Sequence, residues 1–113
     1  MRAPPIISNE HERVAALKRL GVLDTPPEER FDRITRLASS VFNCNFASIT
    51  LIDENRQWFK SAVNLDMAET TRHVAFCAHT IAQDKTLIVP DTLNDPRFNN
   101  NPYVVGHPHI RFY

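Results

Sequence analysis

Residues 46–61, FASITLIDENRQWFKS, constrain this chain more than any other stretch. Ala47, Ile49 and Leu51 alternate with Ser48 and Thr50. Such period-two alternation, rich in β-branched residues, predicts a half-buried strand. Asp53-Glu54-Asn55 is a run of turn formers, and Gln57-Trp58-Phe59-Lys60 opens a second strand with the only Trp of the chain. The reading is a β-hairpin. Two short apolar strands are not stable alone in water, so the flanking segments must cover them.

The flanks carry helix signals. Asn9 followed by Glu12 has the capping-box spacing. Val14, Leu17 and Leu20 form a stripe, and Gly21 supplies a terminator, which predicts a helix from about Glu10 to Leu20. Thr25-Pro26-Pro27-Glu28 reads as a second start, with Thr25 as cap and Pro26 at the first helical position. Phe31, Ile34, Leu37, Ala38 and Val41 then recur at helical spacing as far as Phe42, with Asn43 as the stop. Beyond the hairpin, Asn64–Arg72 reads as irregular and a short helix is expected from about Phe76 to Gln83. Thr86–Val89, ended by Pro90, reads as a third strand. Asn94 or Asp95 can cap a turn holding Pro96 and Phe98.

Composition narrows the class. With 113 residues the chain holds one domain at most. It is 42% hydrophobic and 23% charged, the balance of a folded globular protein. Thirteen basic residues offset thirteen acidic ones and no basic run occurs, so no nucleic-acid partner is expected. No stretch approaches the roughly 18 apolar residues of a membrane span, and the N-terminal residues lack the apolar region of a signal peptide. No membrane contact is expected. Two cysteines, Cys44 and Cys77, are too few for a disulfide framework and fit a cytoplasmic setting.

The segments NEHERVAALKRLGVLDTPPEERFDRITRLA, SITLIDENRQWFKS, VAFCAHTI, LIVPDTLNDPRF and HIRFY, in that order, resemble a bacterial GAF domain. The subgroup is the one near the N-terminus of sensor histidine kinases and of diguanylate cyclases or phosphodiesterases. The resemblance covers Asn9 to Tyr113 and leaves residues 1–8 as a flexible arm.

It implies an α+β, GAF-like (profilin-like) fold: an antiparallel sheet of about six strands with helices on both faces. The two N-terminal helices would cover one face. The helix near Phe76 and the segment 91–106 would cover the other and wall a small-molecule pocket. In the family, further strands and a closing helix follow the position of Tyr113. Residues 9–113 are therefore read as the N-terminal two-thirds of the domain, with a gap in the sheet that costs unpaired backbone groups. A homodimer, formed by strand exchange, is one expected remedy.

The resemblance implies a non-catalytic sensory or regulatory module in a signal-transduction protein such as a two-component system. A small molecule or dimerisation would control an attached kinase or cyclase domain. Ligand and cofactor remain unassigned. The candidate ligand-binding residues are Trp58, Phe76, Cys77, Thr80, Asp91, Phe98 and Arg111.

Each has a plainer reading. Cys77 fits a small core position, and His79, two residues on, points to another side of a helix. Trp58 fits core packing, Asp91 a cap, and Arg111 a solvent-facing strand position. His73 with Cys77, or His107 with His109, falls short of the about four ligands of a structural zinc site. No catalytic motif such as G-x-S-x-G or H-E-x-x-H occurs, so no catalysis is expected. Two other functions stay open: a cysteine-dependent reductase of free methionine sulfoxide, as some GAF proteins are, and a purely structural dimerisation unit.

Overall fold

A computed structural model describes all residues from Met1 to Tyr113. Four helices surround a three-stranded antiparallel sheet. Helix α1 spans Glu10–Arg19 and α2 Glu29–Phe42. Strands β1 (Ala47–Ile52), β2 (Arg56–Val63) and β3 (Glu69–Thr71) follow, in the order β1-β2-β3. Two short helices, α3 (Phe76–Thr80) and α4 (Pro102–Val105), complete the chain with two 3-10 turns.

The hairpin forms as its alternation predicts, with β2 in the middle of the sheet and β1 on one side of it. Ala47 pairs with Val63 at one end and Ile52 with Gln57 at the other. Ile49 lies opposite Ser61 but Thr50 opposite Phe59, so Lys60 is an extra residue that bulges out of β2. Lys60 uses that freedom. Its side chain is 1% exposed, and its ammonium donates to Thr25 Oγ1 at 2.7 Å and to the Pro26 carbonyl at 2.6 Å and pairs with Glu28 at 2.7 Å.

This arrangement corrects the expected start of α2. Thr25 does not cap a helix, because its hydroxyl donates to the Val22 carbonyl and accepts from Lys60. The Pro26 carbonyl is also taken by Lys60. The helix starts at Glu29, after an extended Glu28. Its end is as read, with Asn43 in the left-handed region at φ 50°. At α1, Asn9 stands at the N-cap but makes no side-chain capping bond. Gly21, at φ 64°, takes the left-handed turn after the helix.

The α2 stripe differs from expectation too. Thr35 is the most buried residue of the helix at 2% exposed, and its hydroxyl meets Ser61 Oγ at 2.8 Å. Ser61 also donates to Asp32 Oδ1 at 2.6 Å. A polar seam thus seats α2 on the sheet. Phe31 and Ala38 are half-buried, while Ile34, Leu37 and Val41 are exposed at 52%, 64% and 66%.

The third strand is not Thr86–Val89. It is β3, inside the stretch read as irregular, and it pairs Glu69–Thr71 with Arg56–Trp58. A three-residue strand has too little sequence to show a period. Val89 instead exchanges two backbone hydrogen bonds with Tyr113, at 2.6 and 3.0 Å. Thr92 N donates to the Arg111 carbonyl at 2.9 Å. Residues 89–92 therefore run alongside 110–113 as a separate ribbon outside the sheet.

Two apolar clusters form the core. Phe76, Leu87, Val89, Phe98 and Val104 pack together with Ile110 and Tyr113 against them. Ile52, Ala75 and Ala78 form the second, with Cys77 and Ile81. Since Ile52 and Ile49 have opposite parity, α3 and α2 cover opposite faces of the hairpin.

Candidate functional site

Four of the seven candidate residues converge on the α3 face. Ala75 is extended and α3 begins at Phe76. One turn of helix then spaces Phe76, Cys77 and Thr80 along one side. From the other direction, Asp95 Oδ1 accepts from Arg97 N at 2.9 Å. That cap starts the turn that carries Phe98 inward, as the sequence indicated. Phe76 and Phe98 stack at 4.3 Å between centroids, with 9° between planes. Phe98 is 1% exposed.

Tyr113 closes this group, and the sequence reading did not single it out. Its ring lies 5.1 Å from that of Phe76. Its hydroxyl meets Thr80 Oγ1 at 2.8 Å and donates to Cys77 Sγ at 3.4 Å. Burial, with the Cys77 thiol nearby, pushes the phenol well above its ordinary range. The available signal was the alternation of His109-Ile110-Arg111-Phe112-Tyr113, which puts Tyr113 on the same side as Arg111 and His109 and hides its partner.

The other three candidates lie elsewhere. Trp58 stands opposite Leu51 and so shares the α2 side of the hairpin, away from Phe76. Asp91 is an exposed cap, accepting from Leu93 N at 3.0 Å and from Asn94 Nδ2 at 2.6 Å. Arg111 donates to the Val104 and Ile110 carbonyls at 2.8 and 3.2 Å. Its guanidinium ties the ribbon to α4.

Asn101 fixes the base of the group. It is 2% exposed, its Oδ1 caps α4 by accepting from Tyr103 N at 2.9 Å, and its Nδ2 donates to the Val74 carbonyl at 2.9 Å. His79, on the next flank of α3, meets Phe98 edge-on at 4.9 Å. Burial lowers its pKa below the ordinary 6.5. A cleft of about 260 Å³ beside it is lined by Arg2, Ala3, Pro5, Ala82, Gln83 and Arg97. Arg97 is held by Asp95 at 3.0 and 2.7 Å.

A wider cleft of about 390 Å³ opens on the other face, between α2 and β2, beside Asp32, Thr35, Arg36, Phe59 and Met67. No three His, Cys, Asp or Glu side chains gather as a metal site. Both cysteines are free thiols. Cys44 follows α2 and Cys77 lies on α3, so they belong to opposite faces.

A charged clamp joins the α3 side to α1. Arg72, 6% exposed, follows β3 and opens the 3-10 turn before α3. Its guanidinium pairs with Glu10 of α1 and donates to the Glu54 carbonyl at 3.2 Å. Glu10 also pairs with Arg13 at 2.7 Å, and Arg13 donates in turn to the Ile52 carbonyl. Hydrogen bonds from Arg13 and Arg72 hold the Glu10 carboxyl down at about 2. A second cluster surrounds Arg56, which bonds Asp24 at 2.7 and 2.8 Å, Glu69 at 2.8 Å and Asp53 at 3.1 Å. It ties the α1–α2 connection to the hairpin and to β3.

A sheet covered by helices on both faces, with a compact aromatic group under a short helix, defines an α+β domain. The chain belongs to the GAF domain family, whose match extends over residues 26–113. Along its whole length it is 42% identical to the cyclic di-GMP phosphodiesterase PA2567 of Pseudomonas aeruginosa. The chain spans 19% of the length of that relative. It is thus a domain of a typically regulatory type. No helix is long and apolar enough to cross a membrane.

Proposed function

We propose that this chain is the sensory segment of a cytoplasmic signalling protein and controls an attached output domain that turns over cyclic di-GMP. The observation that carries this reading is the similarity, over every residue of the chain, to part of a cyclic di-GMP phosphodiesterase. That relative favours a phosphodiesterase output over a kinase or cyclase.

The sensing face is centred on Phe76, Cys77, Thr80 and Phe98, with Asp91 at the ribbon and Arg111 behind it. Trp58 serves the opposite face. Tyr113 now fills the space between Phe76 and Thr80. A small planar molecule would enter by displacing that ring, and its own aromatic surface would replace the lost stacking.

Arg72 offers a route for the signal. It lies four residues before Phe76 and grips Glu10 near the start of α1. A shift of α3 that moves Arg72 must move α1 or break the pair. The ligand acts only by binding one of these two arrangements more tightly. Dimerisation would act on the same helices.

Thermal melts of the chain with a panel of cyclic nucleotides and small aromatic metabolites test this reading. A ligand that binds the native state raises the midpoint, and Phe98→Leu should abolish the rise. No shift with any member of the panel would count against sensing at this face. Reaction of native Cys77 with a thiol reagent at the rate of a free thiolate would favour the reductase reading instead.

A further inference from the structure

The segment before α1 lies along the end of α3. Arg2 N donates to the Arg97 carbonyl at 3.3 Å, and the Arg2 backbone accepts a hydrogen bond from the His79 imidazole. The cleft of about 260 Å³ beside His79 is bounded by these two contacts. Its nitrogen groups come from three parts of the chain: Arg2 from the segment before α1, His79 from α3, and Arg97 from the turn that carries Phe98. Ala3, Pro5 and Ala82 supply an apolar wall.

Charge in this cleft is one-sided. No carboxylate lines it. The carboxylate beside it, Asp95, is engaged by Arg97: Oδ1 accepts from Nε at 3.0 Å and from the backbone N at 2.9 Å, and Oδ2 accepts from Nη2 at 2.7 Å. Nη1 of Arg97 bonds nothing in the chain. The guanidinium is nonetheless fixed, because Asp95 holds its plane and its carbon lies 5.2 Å from the centre of the Phe98 ring. Arg2 takes part in none of the ion pairs. A lone exposed arginine is ordinary. Two arginines and a histidine, brought from three segments to one concavity, form a place where an anion gains several charged hydrogen bonds at once.

We propose that this cleft binds a small phosphate monoester, with the phosphate bridging Arg2, His79 and Arg97 and a short organic part lying on Ala3, Pro5 and Ala82. Geometry favours phosphate over carboxylate. A carboxylate is planar and one guanidinium fork satisfies it, as Asp95 on Arg97 illustrates. Donors from three directions suit a tetrahedral group with three terminal oxygens, which also carries nearly two negative charges at neutral pH.

The site stands apart from the space between Phe76 and Thr80, and it does not depend on what enters there. It does touch the aromatic group, since His79 meets Phe98 edge-on at 4.9 Å. Arg97 opposes protonation of His79 and Asp95 favours it. Arg2 is the other cation in the cleft. A bound dianion acts in the same sense as Asp95, so His79 takes up its proton at higher pH when the cleft is filled.

Titration of the 113-residue chain with n-propyl phosphate at constant ionic strength, followed by amide and imidazole NMR resonances, tests the proposal. Amides of residues 2, 3, 79–83 and 97 should shift together, with a dissociation constant of about 1 mM or below. His79 should titrate at higher pH with the ester bound than without it. Arg2→Gln should weaken binding about tenfold, the lower end for a charged hydrogen bond. Arg19→Gln, at an exposed guanidinium in the last turn of α1, should leave binding unchanged. Butyrate, a carboxylate of similar length, should bind about tenfold more weakly. Equal losses in Arg2→Gln and Arg19→Gln overturn the proposal, because they mark unspecific attraction to surface charge. So do an unmoved His79 titration, butyrate binding as tightly as the ester, or the absence of saturable shifts. Propyl phosphate has no planar surface to replace the Tyr113 ring, so its binding and the thermal shifts that test the sensing face succeed or fail separately.

Discussion

The two sides of the molecule are held by different forces. On the N-terminal side, Lys60, Arg56 and Arg72 each anchor several partners, and the helices sit on the sheet through Thr35, Ser61 and Asp32. From Phe76 onward the chain is held by an aromatic stack with Leu87, Val89 and Val104 and one buried asparagine. The first kind of contact is directional, pH-dependent and costly to break one partner at a time. The second is nearly independent of pH and scales with the apolar surface buried. Under the proposed function the aromatic side would deform around a ligand and the charged side would convey the displacement.

The largest effect should come from the aromatic side. Phe98→Ala removes a fully buried ring, and urea unfolding should show a loss of about 4 kcal/mol. That loss should be the same at pH 5 and pH 8. Lys60→Ala on the other side leaves Thr25 Oγ1 and the Pro26 carbonyl without their donor, and about 3 kcal/mol should be lost. Glu28 keeps Arg30 and adds little to that cost.

Glu10→Gln should cost about 2 kcal/mol at neutral pH, the worth of charged hydrogen bonds. Its pH dependence sharpens the comparison. The Glu10 carboxyl is held at about 2, below its ordinary 4.5. Its stabilisation is therefore complete above 4.5 and is lost as pH falls from there toward 2. The difference between wild type and Glu10→Gln should shrink across that interval. The smallest effect is expected for Tyr113→Phe, about 1 kcal/mol for the hydroxyl bond to Thr80, measured by thermal melting near pH 7.

Elements with local signals were legible in the sequence. The alternation of Ala47–Leu51, the spacing of the α1 residues, Gly21 and Asn43 each act over a few residues, and each structure forms where the pattern puts it. Elements set by distant partners were not. The start of α2 depends on Lys60, more than thirty residues away, which occupies Thr25 and Pro26. β3 exists because β2 is there to pair with it. Val89 turns from the sheet because Tyr113 takes its backbone.

The site divides along the same line. Phe76, Cys77, Thr80 and Phe98 came from two short motifs and do meet. Trp58 was assigned to them without knowing which face its register would give. Helical period alone also could not show that Ile34, Leu37 and Val41 stay outside while Thr35 goes inside. That choice was made by Ser61 and Asp32 across the seam.

The link between the two sides is the central claim, and a double-mutant cycle on Glu10→Gln and Arg72→Gln tests it most directly. At pH 7 the coupling between the two substitutions should exceed about 1 kcal/mol, as contacting residues in one network show. At pH 2 it should fall toward zero as Glu10 becomes protonated. Strict additivity at pH 7 would contradict the account, because α1 would then move independently of the segment that leads into α3.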